Sequence, residues 1–494
     1  MIKPQNMIKL PDKMKTRRIF KKNYNIFLFH LILYAFLAVI YSLFCRHRFI
    51  YRDDIAVLFF SRINSWADLV RVISTPTSLN TFYRPFVNLT HSLDLLLWGT
   101  HFFMHYFQSI LWQIFCIYLI YKLARLLTKN EIVAVSAELI FFFYFPMNSG
   151  AMSFIANRYT LVSAVFYLLA VISFFQLRTS ATGNIKWRPL LTLFFVLSLF
   201  SKEMSVTFIL TMGLIDLLYF SGQFNVIRSV DYIIIILIMA IRFYLNVVLG
   251  VVSPFSAQSG PYQWIMGFNI MNNLAYYTAW LLLPAVFIIT SLCLLSIINK
   301  LDIEWKKAFP WEVSIFGLIF ALINISIYLP FAGYRQLGWL FLSTIGMAIF
   351  LASPTCYFLA LLSSKRNTRK SIIFAAVISV IFFISMGTTF FPEKIIKRGV
   401  QAGYSRKFIN DFIKLNIGSE KKVYVVDIGT NNFRLADNFI APMVKQDVLY
   451  EAVSLFIGKK TPKEVHLVDK AGDAGKGEAD KIVLYYKNGK LFRY

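Results

Sequence analysis

Histidine, cysteine and acidic residues are all scarce in this chain. Six histidines and four cysteines in 494 residues leave little material for a metal centre. Cys45, Cys116, Cys293 and Cys356 lie in or beside apolar stretches, at intervals that match neither a zinc finger nor a disulfide framework. There is no Walker-type phosphate loop, no Rossmann glycine pattern, no Ser-His-Asp ordering and no internal repeat. The missing nucleotide loop argues against a primary pump. Asp and Glu number 25 against 51 Lys and Arg, a formal charge of +26. In a soluble protein that excess would point to nucleic acid. Here the basic residues fall largely in short segments between apolar runs, where they set membrane orientation, and no nucleic-acid partner is expected.

Apolar surface is abundant. The chain is 57% hydrophobic and 17% aromatic, with a mean hydropathy of +0.60. Its apolar runs reach the length a bilayer demands, about 20 residues per helix. The expected fold is an all-α polytopic membrane protein with about eleven transmembrane helices and a small C-terminal α/β soluble domain. Spans are placed near 24–46, 104–121, 131–147, 159–177, 189–200, 204–220, 231–250, 274–297, 312–330, 338–362 and 372–391. The basic N-terminus, 1–23, precedes a first span too long for a signal-peptide core. Basic residues follow the even-numbered spans: Lys122, Arg125 and Lys129, then Arg178, Lys186 and Arg188, Arg228, Lys300 to Lys307, and Lys365 to Lys370. That alternation marks the cytoplasmic face.

The opposite, exoplasmic face then receives a large first loop, 47–103, and the tail, 392–494. In the tail, SRKFINDFIKLN and APMVKQDVLYEAVSLFI read as helices and KKVYVVDIG and EVHLVD as strands. KIVLYYKNGKLFRY reads as a hairpin turning at Asn488-Gly489.

The exoplasmic loops hold few charges, and those few sit among aromatic and apolar neighbours. Asp53 and Asp54 open the first loop in FIYRDDI. They are either a solvated pair or a general base with its orienting neighbour. In TFYRPF, Pro85 fits the first turn of a helix running to about Trp98, with Tyr83 and Arg84 at its entry. Lys202 and Glu203 interrupt a long apolar stretch as FSKEM; Arg158 lies in ANRY and Arg335 in GYRQ. Each of these cations is a hairpin anchor or a ligand for an anionic headgroup, and their shared face favours the second reading. Arg242, inside a span, is a functional candidate or a locally paired residue. His91 and Asp94 share a helical face, as do His101 and His105, but they are too few to make a metal site.

The order RDDI, YRPF, NRYTLVSAVFYLLA and LFSKEMSVTFILTMGLIDLLYF resembles the GT-C superfamily of membrane glycosyltransferases. It is most similar to the membrane portion of the tetratricopeptide-bearing O-mannosyltransferases and their bacterial relatives. The resemblance covers about 45–355. It implies catalytic Asp53 and Asp54, donor-phosphate contacts from Arg158, Lys202, Arg335 and Arg84, and support from Glu203, Tyr83 and His105. It also implies a polyprenyl-phosphate-linked sugar donor and an exoplasmic glycan, lipid or protein acceptor. The protein is expected in the bilayer of a bacterial inner (plasma) membrane, with its site and C-terminal domain on the periplasmic or extracellular face. No cofactor is implied with certainty, and a divalent cation stays open. Two departures stand out. FPMNSG (145–150) replaces a histidine- and glutamate-bearing family stretch, and no tetratricopeptide array follows the spans, so mannose and protein acceptors do not carry over. A transporter or flippase of lipid-linked glycans, and an O-antigen ligase or polymerase, are the rival readings.

Overall fold

The computed structural model describes residues 30, 32–36, 38–39, 52–77, 82–144, 154–179, 186–221, 226–251, 263–298, 304, 308–331 and 335–363. In the tail it describes 411–415, 422–427, 464–468, 481–487 and 490–493. Most of the expected first span and all of the last, 372–391, lie outside the described residues, as do 145–150, the second tail helix and the Asn488-Gly489 turn.

The first loop folds into three helices. α1 (Arg52–Phe60) carries the acidic pair at its start. α2 (Trp66–Ser74) begins with a capping box, in which Ser65 Oγ accepts from the Asp68 amide and Asp68 accepts from the Ser65 amide. α3 (Pro85–Trp98) opens on Pro85 and stops at Gly99, whose φ of 55° suits a residue without a Cβ. The Pro85 start and Trp98 end match the sequence expectation.

The long helices follow. α4 (Phe102–Thr128) turns through Lys129 into α5 (Glu131–Phe143), where Asn130 Oδ1 accepts from the amides of Ile132 and Val133. Next come α6 (Arg158–Thr179), α7 (Trp187–Leu199), a 3-10 turn at Glu203–Thr207 and α8 (Phe208–Tyr219). The expected span at 204–220 is thus a 3-10 turn followed by a short helix. α9 (Val226–Val248), α10 (Phe268–Ile298), α11 (Trp311–Ser326) and α12 (Phe341–Ser363) complete the described bundle. Among the described residues, five helices are long and apolar enough to cross a membrane, and α7 and α11 are shorter apolar helices. α4, α6 and α12 bury much of their surface in the bundle, whereas α9 and α10 keep apolar side chains such as Phe243, Tyr244 and Val286 outward. Outward apolar side chains are what lipid requires.

Two contacts lock the interior. α11 meets α12 at Gly317 and Gly346, where a Cβ on Gly317 would stand 2.6 Å from the Gly346 carbonyl oxygen. Such backbone proximity is how small residues join membrane helices. At the end of the bundle away from α1–α3, Arg178 on α6 donates to Asp216 on α8 (2.9 Å) and to Asp231 on α9 (2.6 Å). Arg188 on α7 donates to Asp231 at 2.7 Å. Four helices are tied by one network whose charges are matched.

In the tail, β1 (Lys422–Asp427) lies between β2 (Glu464–Val468) and β3 (Lys481–Lys487), parallel to both. β4 (Lys490–Arg493) is antiparallel to β3. The strands and the hairpin fall where the sequence places them. Residues 411–414 are helical, within the first expected tail helix.

Candidate active site

The end of the bundle built from α1–α3 and the facing connections gathers most of the singled-out charges. They divide into two clusters joined by residues 156–160.

The first cluster is closed. Asp54 is fully buried; its Oδ1 accepts from the Ala156 amide at 2.7 Å, and the Tyr106 hydroxyl lies 3.5 Å from its Oδ2. Arg158 is also at 0% exposure. Its Nη1 meets Asp94 at 2.5 Å, its Nε donates to Ser109 Oγ at 3.1 Å and its Nη2 donates to the His105 carbonyl at 2.6 Å. His105 contacts the Gly99 carbonyl at 2.9 Å through Nε2, and its Nδ1 stands 3.6 Å from Asp94. His91 is buried beside them, and burial with the nearby Arg158 charge holds its pKa well below the usual value, so it is neutral. Arg158, an expected phosphate contact, has its guanidinium turned to these internal partners.

The second cluster is open in its charge balance. Arg84 forks onto Glu203 through Nε (3.0 Å) and Nη2 (2.7 Å). Its guanidinium also lies over the rings of Phe82 and Tyr159, at 4.0 and 4.1 Å from their centroids. Lys202 is 4% exposed. Its Nζ donates to Thr160 Oγ1 at 2.9 Å and lies over Tyr159 at 5.0 Å and Tyr328 at 5.7 Å. Among the described residues no carboxylate stands within ion-pair distance of that ammonium. Burial, followed by the repulsion of Arg84, pushes its pKa down to about 7. Glu203 is held below the usual carboxylate range, because Arg84 and Arg242 outweigh the cost of burial.

Arg242 reaches in from α9, donating to the Tyr83 carbonyl and to Asn246 Oδ1 while its guanidinium covers the Tyr83 ring at 4.8 Å. Tyr83 is itself fixed, donating to the Ile73 carbonyl at 2.9 Å.

Local backbone explains the placement of Lys202. α7 ends as the amides of Phe200 and Lys202 bond back to Val196 and Ser198 carbonyls. Lys202 then turns extended, with φ −159° and ψ 142°, before the 3-10 turn. Its side chain is thereby directed at α6, not along α7.

Arg335 stands apart. It is exposed, donates through Nε to Asn273 Oδ1 at 2.8 Å and covers the Tyr276 ring at 5.2 Å. Asn273 donates in turn to the Leu329 and Phe331 carbonyls, each at 2.8 Å. Asp53 belongs to α1, but its side chain lies outside the described residues. Among the described residues no three His, Cys, Asp or Glu side chains group as metal ligands.

Sequence reasoning passed over Tyr159, Thr160 and Tyr328 as site residues and left Asp94 without a role. Arg242 did carry a signal, as an arginine inside an apolar span. The aromatic partners carried none, since aromatics make up 17% of the chain.

No protein-family model matches this chain, and no curated protein matches it. Solved structures do. ArnT from Cupriavidus metallidurans bound to undecaprenyl phosphate superposes with a TM-score of 0.52, covering 92% of this chain and 92% of its own, at 12% identity. The apo state of the same protein gives a TM-score of 0.51 over 89% and 86%, again at 12% identity. This chain shares the ArnT fold, and its long apolar helices make it a multi-pass membrane protein.

Proposed function

We propose that the chain is a glycosyltransferase that moves a sugar from a polyprenyl-phosphate carrier to an acceptor at the exoplasmic face, with inversion at the anomeric carbon. The reading is carried by the charge imbalance of the second cluster. Among the described residues, Arg84, Lys202 and Arg242 supply three cations around one carboxylate, Glu203, an excess of two positive charges (3 − 1) when Lys202 is protonated. Buried unpaired charge is costly, so such a site is built to be neutralised by an anion. Undecaprenyl phosphate bound to the ArnT structure supports a polyprenyl phosphate as that anion.

The imbalance also suits the reaction. A polyprenyl-phosphate sugar is a phosphodiester with one negative charge, and the departing phosphate monoester approaches two. Two excess positive charges therefore match the leaving group better than the donor, which is transition-state stabilisation rather than uniform binding. The acceptor hydroxyl oxygen forms the new bond to the anomeric carbon, the bond to the phosphate oxygen breaks with its electron pair, and the hydroxyl proton passes to a carboxylate. Asp53 is the proposed base. Asp54, already engaged by the Ala156 amide, orients α1. Arg335 receives the headgroup at the periphery, and Tyr83 and His105 support the surrounding helices. Residues 392–494, with their sheet, form an exoplasmic α/β domain in this reading, and a bacterial inner membrane is the proposed location.

The test is turnover of radiolabelled lipid-linked sugars by the purified chain. Transfer or hydrolysis from monophosphate but not diphosphate carriers is expected. Exclusive use of diphosphate carriers would assign the chain to the ligase or polymerase class, and lipid-linked sugar movement without bond cleavage would make it a transporter.

A further inference from the structure

Lys202 presents a problem that the phosphate site does not solve by itself. It is a buried ammonium beside a second cation, Arg84, whose charge is already matched by the fork to Glu203. A carboxylate on Lys202 would settle the repulsion but would compete with any incoming phosphate. We infer that Tyr159 is a positioning residue of this site, whose ring holds Arg84 and Lys202 together and keeps Lys202 available to the donor phosphate.

Geometry supports this on three counts. The Tyr159 centroid lies 4.1 Å from the Arg84 guanidinium carbon and 5.0 Å from Lys202 Nζ, so one ring serves both cations. The ring quadrupole attracts cations without neutralising them, and its effect grows where water is excluded. The ring is also held in place: its hydroxyl donates to Asn157 Oδ1 at 2.8 Å, and it follows Arg158, which the closed cluster anchors to Asp94. Thr160, one residue on, supplies the neutral acceptor for Lys202. Among the described residues, the groups facing Lys202 are Arg84 from the start of α3, neighbouring Glu203, Tyr159 and Thr160 from α6 and Tyr328 beyond α11, with Arg242 of α9 acting on Glu203. Among the described residues, Tyr159 lies under both cations of the pair that repels, with Phe82 under Arg84 and Tyr328 under Lys202.

This inference rests on the donor-phosphate reading, and its test separates the two. Full-length protein in zwitterionic nanodiscs is titrated with undecaprenyl phosphate between pH 6 and 9. The wild type binds most tightly below about pH 7 and weakens above it, as Lys202 loses its proton. Tyr159→Leu should bind about tenfold more weakly at pH 7.5, with the pH midpoint lowered by about half to one pH unit. Tyr159→Phe keeps the ring face and should stay within about threefold of wild type with its midpoint retained. Tyr159→Met, apolar without a ring, replaces the leucine variant if that one does not fold. An unmoved midpoint and affinity in the leucine or methionine variant overturns the role of Tyr159 while leaving the donor reading standing. A phenylalanine variant as impaired as leucine also overturns it. Wild type that binds no undecaprenyl phosphate at any pH overturns the donor reading itself.

Discussion

Arg158 and Lys202 are both buried cations, joined by a few residues of α6, yet their partners differ. Arg158 has a carboxylate at 2.5 Å, a hydroxyl and a carbonyl. Lys202 has one hydroxyl and two aromatic rings. A buried cation whose donors are met by a carboxylate, a hydroxyl and a carbonyl has a structural role. One held only by neutral groups keeps donors in reserve, and an ammonium has three. In the proposed reading the closed cluster is architecture and the open one binds ligand, a division with consequences that separate stability from affinity.

The largest effect should come from the acidic pair at the start of α1. Asp53→Asn should lower turnover by about two to four orders of magnitude, the scale of a lost general base, with undecaprenyl phosphate affinity retained. Asp54→Asn should act through stability and the placement of α1, since its carboxylate is committed to the Ala156 amide. Initial rates and melting temperatures on both variants decide the assignment. A deeper rate loss in Asp54→Asn, at unchanged stability, would exchange the roles.

The closed cluster should break as scaffold. Asp94→Ala strands the Arg158 guanidinium in a fully buried site, and removing one partner of a buried ion pair costs about 3–5 kcal/mol. Thermal unfolding in detergent should show the loss, while folded protein keeps its affinity for undecaprenyl phosphate within a few fold. A selective loss of affinity at unchanged stability would return Arg158 to the phosphate site.

The same contrast shows how much could be read from sequence. The entry of α3 at Pro85, the Lys-Glu corner, the tail strands and the membrane class were legible because each rests on a local rule: fixed proline φ, charge in an apolar run, alternation, span length. The division of Arg158 from Lys202 was not. Both appear as a basic residue at the end of an apolar run, and their difference is set by Asp94, 64 positions before Arg158, and by a backbone turn that aims Lys202 at α6. The shortening of α7 and α8 around that turn was only partly visible, as an unusually short fifth span. Arg242 was visible as an anomaly, but only the folded chain brings it to Tyr83, 159 positions away.

The open cluster should break as a binding site. Lys202→Met removes a charge-assisted contact, about 1.5–3 kcal/mol, and should weaken undecaprenyl phosphate binding by roughly tenfold to a hundredfold. Stability should hold or rise, since an apolar side chain replaces a desolvated ammonium. The sign with pH follows from the free-state pKa near 7. A bound phosphate favours the charged form and raises that pKa, so affinity is full below about pH 7 and declines above it. Lys202→Met should flatten that decline. Affinity measured from pH 6 to 9 on both proteins checks this, and a wild-type profile level across the range would remove Lys202 from the site.

Arg335 tests the comparison from outside, because it belongs to neither cluster. It is exposed, and its guanidinium meets a neutral amide and a ring. Solvent screens an exposed cation, so its contribution to a passing headgroup is small beside that of a buried one. Arg335→Met should weaken undecaprenyl phosphate binding by about twofold to fivefold, and raising the salt from 50 to 500 mM should erase most of the difference from wild type. The Lys202→Met deficit should persist at high salt, because bulk ions do not screen a buried site to the same degree. Arg335→Lys should recover only part of the loss, since an ammonium cannot both bond Asn273 and present a planar fork. Binding isotherms at the two salt concentrations settle the matter. An Arg335 deficit as large as that of Lys202, and as indifferent to salt, would mean that exposure in the free protein is a poor guide to which cations meet the phosphate. The reach of Arg335 toward the bound headgroup would then have to be counted as part of the open cluster.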